Sequence, residues 1–128
     1  MKRSLAQRML IAVRTDAKAV HTDGWWTTRC IHCKARVGVR DSGEPLGSTT
    51  LEHIVPRAWF AKRRVGGVAA DLAGPDDPRN LALACARCNQ GKGKRLDPRG
   101  PGDERASEVV AALLARRLAR YREPGDSF

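Results

Sequence analysis

Glu52 and His53 stand side by side in Thr49-Thr50-Leu51-Glu52-His53-Ile54-Val55-Pro56, a carboxylate and an imidazole on one short segment. A neutral imidazole accepts a proton near pH 7, and a carboxylate is a ligand for a hard divalent ion. Downstream, Asn80 opens the run Asn80-Leu81-Ala82-Leu83-Ala84-Cys85-Ala86-Arg87-Cys88-Asn89-Gln90-Gly91-Lys92-Gly93. It contains a C-x-x-C pair followed directly by a second asparagine, Asn89. A matching pair, Cys30 and Cys33, lies upstream. Two such knuckles supply the four ligands of a tetrahedral structural zinc, and four thiolates leave no open position for catalysis by that ion. Disulfides or free thiols are the other reading of the same cysteines. No apolar run resembles a secretory signal, and the start of the chain is polar, so a reduced cytoplasmic setting and zinc are expected.

These residues need elements to position them. The stretch Thr49–Pro56 reads as one core strand and Leu81–Ala84, between Asn80 and the second knuckle, as the other, with Asn89 opening a basic helix. Arg36–Arg40 reads as a further short strand. Neighbouring side chains on a strand point to opposite faces, so Glu52 and His53 serve one site only where the strand ends, bends or bulges. Pro56 is consistent with an end. The zinc would tie the first knuckle to the start of the final core helix, where Gly91 and Gly93 each weaken helical structure by about 1 kcal/mol relative to Ala.

The flanks are helical. An N-terminal segment over 1–22 carries a helix from Ser4, which forms a capping box with Gln7, to about Val20. The C-terminal segment 103–122 has an apolar stripe through Ala106, Val110, Leu114, Leu118 and Tyr121. Arg116, Arg117, Arg120 and Arg122 crowd its end as a solvated face that complements the helix dipole. Between the two core strands lies an insertion, Arg57–Arg79. In it Ala58–Arg64 predicts a turn or two of helix closed by Gly66-Gly67, Trp59 and Phe60 anchor the segment, and 73–78 is loop. Trp25 and Trp26 are expected as lids over the zinc site. His21 and His32 are expected to be non-ligands, with His32 pointing outward.

The chain has 128 residues and a net charge of +10, and its sequence pI is about 10.3. One small domain spanning 1–128 is expected, near the lower size limit for a self-sufficient core, with a polyanionic partner. No run approaches the ~20 apolar residues of a membrane-spanning helix, and no membrane partner is expected.

The knuckles, the Glu-His strand, Asn80 and Asn89 together resemble the HNH endonucleases over roughly Cys30 to Arg95. The resemblance implies an α+β fold: a small zinc-stabilised ββα-metal core over 30–95, also termed a His-Me finger, with flanking N- and C-terminal helices. It further implies a divalent-metal-dependent DNA endonuclease, nicking or cutting both strands. His53 would be the general base, Glu52 and Asn89 the ligands of a catalytic Mg²⁺ or Mn²⁺, and Asn80 the residue orienting the loop around the base. Cys30, Cys33, Cys85 and Cys88 would hold Zn²⁺. The chain departs from the family's letters in being an H-N-N version, and it carries Glu where Asp is frequent.

Arg57, Lys92, Lys94 and Arg95, with Arg63 and Arg64, are expected to meet the phosphate backbone of double-stranded DNA without reading sequence. Two rival readings use the same residues. One is a non-catalytic zinc-stabilised nucleic-acid-binding module, and the other is a nuclease subunit of a phage packaging or restriction machine. Protein partners, target sequence and pathway are not legible.

Overall fold

In the computed structural model, which describes residues 3–60 and 70–124, helix α1 (Leu5–Arg14) starts at the expected capping box. The Ser4 hydroxyl accepts from the Gln7 amide, and the Gln7 side chain accepts from the Ser4 amide. The helix ends earlier than its periodicity predicts. Thr15 turns its hydroxyl back onto the Ile11 carbonyl at 2.6 Å, a local bond that competes with helix continuation. Asp16 is buried in an ion pair with Arg120, and Val20 opens a strand.

That strand, β1 (Val20–Thr22), pairs antiparallel with β2 (Trp25–Arg29), which pairs antiparallel with β3 (Arg36–Arg40). The two tryptophans lie on β2 rather than over the cysteines. Trp26 stacks on His21 with centroids 4.6 Å apart, and Arg40 sits over the Trp25 ring. The turn that follows β3 lies close against α1. A Cβ built on Gly43, whose φ is +90°, would stand 2.6 Å from the Ala6 Cβ, so glycine is required there on both counts.

A second sheet pairs β4 (Thr49–His53) with β5 (Leu81–Cys85), antiparallel from Thr49 opposite Cys85 to His53 opposite Leu81. The connection between them holds the short helix α2 (Arg57–Phe60) and a 3-10 turn, Pro78–Asn80. Trp59 is fully buried and anchors the start of this insertion, as expected. The predicted helical residues Ala61–Arg64 and the stop at Gly66-Gly67 lie outside the described residues. Strand β5 runs directly into helix α3 (Ala86–Leu96). Strands β4 and β5 with α3 form the ββα unit, and the first sheet with its knuckle is stapled to it at the cysteines. The fold is α+β, as the sequence led us to expect.

Helix α4 (Glu104–Arg120) is capped by Asp103, whose side chain accepts from the Ala106 amide. Ala106, Val110 and Leu114 face inward, joining Met9, Val13, Leu81 and Leu83 in one core. Each large apolar side chain sealed there contributes roughly 1.5–3 kcal/mol. The stripe then drifts. Leu118 is 45% exposed, and Arg117 and Arg120 are buried, which corrects the expected solvated basic face. The reason lies in unsatisfied backbone at the end of α1. Arg117 Nε donates to the Leu81 carbonyl at 2.7 Å and Nη2 to the Thr15 hydroxyl at 2.6 Å, and Nη1 reaches the Thr15 carbonyl at 3.2 Å. Burial pulls the Arg117 guanidinium down to about 10. Arg120 binds Asp16, the Thr28 hydroxyl and the Arg29 carbonyl, and Arg116 donates to the Ile31 carbonyl at 2.9 Å. The arginines of α4 therefore clamp α1, β5 and the first knuckle. Among the described residues, no helix is long and apolar enough to cross a membrane.

Candidate active site and metal centre

Four sulfur atoms meet where the two sheets join. Cys30 and Cys33 come from the β2–β3 turn, Cys85 from the end of β5 and Cys88 from the first turn of α3, and all four Sγ atoms lie within 4.8 Å of one another. The Cys30–Cys85 and Cys33–Cys85 separations are 4.0 and 3.8 Å. Ligands of a tetrahedral ion at ~2.3 Å per bond stand roughly 3.8 Å apart, so the cluster fits zinc. Helix α3 also begins at Cys85 without a side-chain cap, which leaves a metal on the thiolates to hold that end.

The sheet register then sorts the two candidate catalytic residues. Glu52 and His53 occupy successive positions of a regular ladder, opposite Ala82 and Leu81, so their side chains diverge. Glu52 turns into the interior and is fully buried. His32 Nε2 contacts its Oε1 at 2.5 Å, and the Lys92 ammonium stands 3.4 Å from its Oε2, which makes no hydrogen bond. His32 thus points inward, contrary to expectation, because a buried carboxylate draws the only imidazole of the knuckle.

His53 takes the other face. It lines a groove with Asn89, Arg57, Gly93 and Lys92, between the end of β4 and α3; Glu52 is not among the lining residues. Asn89 Nδ2 donates to the Leu51 carbonyl at 2.9 Å and the Thr50 hydroxyl at 3.0 Å. Its Oδ1 is thereby left with no hydrogen bond among the described residues. Lys92 is buried, and its ammonium donates to the His53 carbonyl at 2.7 Å. It is an internal brace, which corrects its reading as a phosphate contact. Lys94, Arg95 and Arg57 are exposed, as that reading requires.

Asn80 is buried and joins two loops. Its Oδ1 accepts from the Val55 amide at 2.7 Å, and its Nδ2 donates to the Val55 carbonyl at 3.2 Å and the Pro75 carbonyl at 2.9 Å. The second loop carries a residue that the sequence offered only as loop. Asp76 Oδ1 lies 2.8 Å from His53 Nε2 and 3.6 Å from Arg8 of α1. Burial pushes the His53 imidazole below its ordinary range, and the Asp76 carboxylate opposes that shift. Two adjacent aspartates after Gly-Pro read as turn formers, so the sequence held no signal for this contact.

The description "HNH endonuclease" belongs to a family model that matches residues 30–95, from the first knuckle through α3. The chain belongs to the HNH endonuclease family. Comparison with curated proteins and with solved structures gave no match. Membership implies nuclease chemistry on a nucleic acid, and the matched span holds the cysteine cluster, the Glu-His strand and both asparagines. Of the two expected ion ligands only Asn89 lines the groove, and its carboxamide oxygen, without a hydrogen bond among the described residues, suits a hard divalent ion; the Glu52 carboxylate faces the other side of the strand.

Proposed function

We propose that this HNH protein is a divalent-metal-dependent DNA endonuclease in which His53 is the general base. One observation carries the reading: His53 from β4 and Asn89 from α3 line a single groove, within the span that matches the family. His53 accepts the proton of the attacking water. Its depressed affinity for protons keeps the ring neutral, hence competent, at neutral pH. Asn89 would hold the catalytic Mg²⁺ or Mn²⁺ from the groove, whereas Glu52, expected as the second ligand, faces the other side of β4 and is engaged by His32 and Lys92 instead. When bound, that ion neutralises the scissile phosphate and stabilises the leaving oxygen. Asn80 keeps the turn after β4 in place through its bonds to Val55. The thiolates of Cys30, Cys33, Cys85 and Cys88 hold the zinc that seats α3 against β5. Arg57 at the groove, with the exposed Lys94 and Arg95 further along α3, supplies positive charge for the backbone of a DNA duplex.

The deciding assay is relaxation of supercoiled plasmid with Mg²⁺, Mn²⁺ or EDTA. Nicked or linear product with either ion and none with EDTA supports the reading, and intact plasmid under all three conditions rejects it. A second reading, a zinc-stabilised nucleic-acid-binding module without catalysis, draws on the burial of Glu52 between His32 and Lys92. It requires DNA binding in the same samples with no strand breakage.

A further inference from the structure

The loop before the 3-10 turn is built to deliver one carboxylate to one imidazole nitrogen. Asp77, beside it, accepts from the Arg79 amide at 3.0 Å and from the Ala73 amide at 2.9 Å, closing the loop from both sides. Asn80 Nδ2 holds the Pro75 carbonyl, one residue before Asp76. The same Asn80 fixes Val55, two residues after His53. Asp76 and His53 are therefore hung from a common buried asparagine, with Asp76 Oδ1 on His53 Nε2 at 2.8 Å. Arg8, on a different element, stands 3.6 Å from the same carboxylate oxygen and holds it charged.

From this arrangement we infer that Asp76 is a positioning residue for His53. It accepts the Nε2–H hydrogen bond, fixes the Nε2–H tautomer, and leaves Nδ1 as the lone pair that receives the proton. Among the described residues Nδ1 makes no hydrogen bond, and the ring lines the groove shared with Asn89. When water gives its proton to Nδ1, the ring becomes a cation with donors at both nitrogens. The carboxylate on Nε2 then gains a charged partner, an interaction stronger in the protonated ring than in the neutral one. That difference is what lowers a barrier, because it is absent before proton transfer.

The inference rests on the nuclease reading, and two separate readouts keep their failures apart. Full-length zinc-loaded protein labelled with ¹⁵N reports the tautomer of each of its three histidines through the ring nitrogen shifts, and His53→Ala assigns the resonance. The parent is expected to show His53 with hydrogen on Nε2. Asp76→Asn puts an amide donor against Nε2 and shifts the ring towards the Nδ1–H tautomer. In single-turnover cleavage it is expected to lose roughly 10²–10⁴-fold in rate, with melting temperature, zinc content and DNA affinity unchanged. Asp76→Glu, which keeps the acceptor, recovers part of the rate. Retention of the Nε2–H tautomer and the parent rate in Asp76→Asn overturns the inference, as does a lowered melting temperature with the tautomer unchanged. A parent that shows the expected tautomers but never cleaves DNA rejects the nuclease reading and leaves the positional assignment intact.

Discussion

The Lys92 ammonium donates to the backbone carbonyl of His53 at 2.7 Å and stands 3.4 Å from the carboxylate of Glu52. One helix side chain thus braces two adjacent strand residues whose own side chains face opposite ways. Lysine at this position belongs to the interior, whereas Lys94, two residues on, is exposed.

The two lysines are therefore expected to separate cleanly. Lys92→Ala leaves the fully buried Glu52 without its cation and should cost on the order of 3–5 kcal/mol in denaturant unfolding. Lys94→Ala should leave the unfolding midpoint alone, weaken DNA binding evenly across unrelated sequences, and reduce the salt dependence by about one phosphate contact. Equal effects of both substitutions on affinity, with stability unchanged, would refute the assignment.

Zinc is expected at one ion per chain and not exchangeable by mild chelation. Cys85→Ser should lose the metal together with cooperative unfolding, since Cys85 is both a ligand candidate and the residue at which β5 becomes α3. Structural zinc contributes roughly 10 kcal/mol or more in small zinc-folded peptides. A Cys85→Ser protein that melts like the parent would show the cluster to be dispensable.

A metal titration of nicking distinguishes base from ligands. His53→Ala should lose about 10²–10⁴-fold in rate at every Mg²⁺ or Mn²⁺ concentration, with DNA affinity retained. Asn89→Ala should be partly restored by excess ion. Glu52→Gln tests the buried carboxylate: an ion requirement shifted to higher concentration supports a ligand role. An unshifted requirement with lowered stability identifies Glu52 as the internal counter-charge of Lys92. Rescue of His53→Ala by excess metal would reverse the roles of His53 and Asn89.

The pH profile follows from the same imidazole. Burial, opposed by Asp76, lowers the His53 pKa below the ordinary value of about 6.5. A base works only when deprotonated, so a lowered pKa extends activity to lower pH. The rate should hold through neutrality and past the ordinary imidazole range, falling only at more acidic pH, where the ring takes up its proton. A rate that falls already above neutral pH, as for a group with a raised pKa, would exclude His53 as that base.

Several features could be read directly from the chain. The paired C-x-x-C knuckles, the strand carrying Glu52 and His53 and the Ser4–Gln7 cap each depend on local spacing, and local spacing fixes ligand geometry and capping wherever the fold places them; the basic helix was legible too, although it begins at Ala86 within the knuckle rather than at Asn89. The pleat likewise dictated that Glu52 and His53 diverge, since no bulge interrupts the ladder from Thr49 to His53. What the sequence left open was which face meets which partner. His32 reaches Glu52 and Lys92 reaches both β4 residues because the knuckle and α3 close over one side of that strand. Asp76 reaches His53 because Asn80 ties together two loops far apart in the chain. Arg117 and Arg120 leave the expected solvated face because α1 stops at Thr15 with carbonyls to satisfy and Asp16 buried beside them. Charged side chains carry no periodic signature of their own burial. Their partners come from distant segments, and only the tertiary structure decides which charges are paired inside and which remain for nucleic acid.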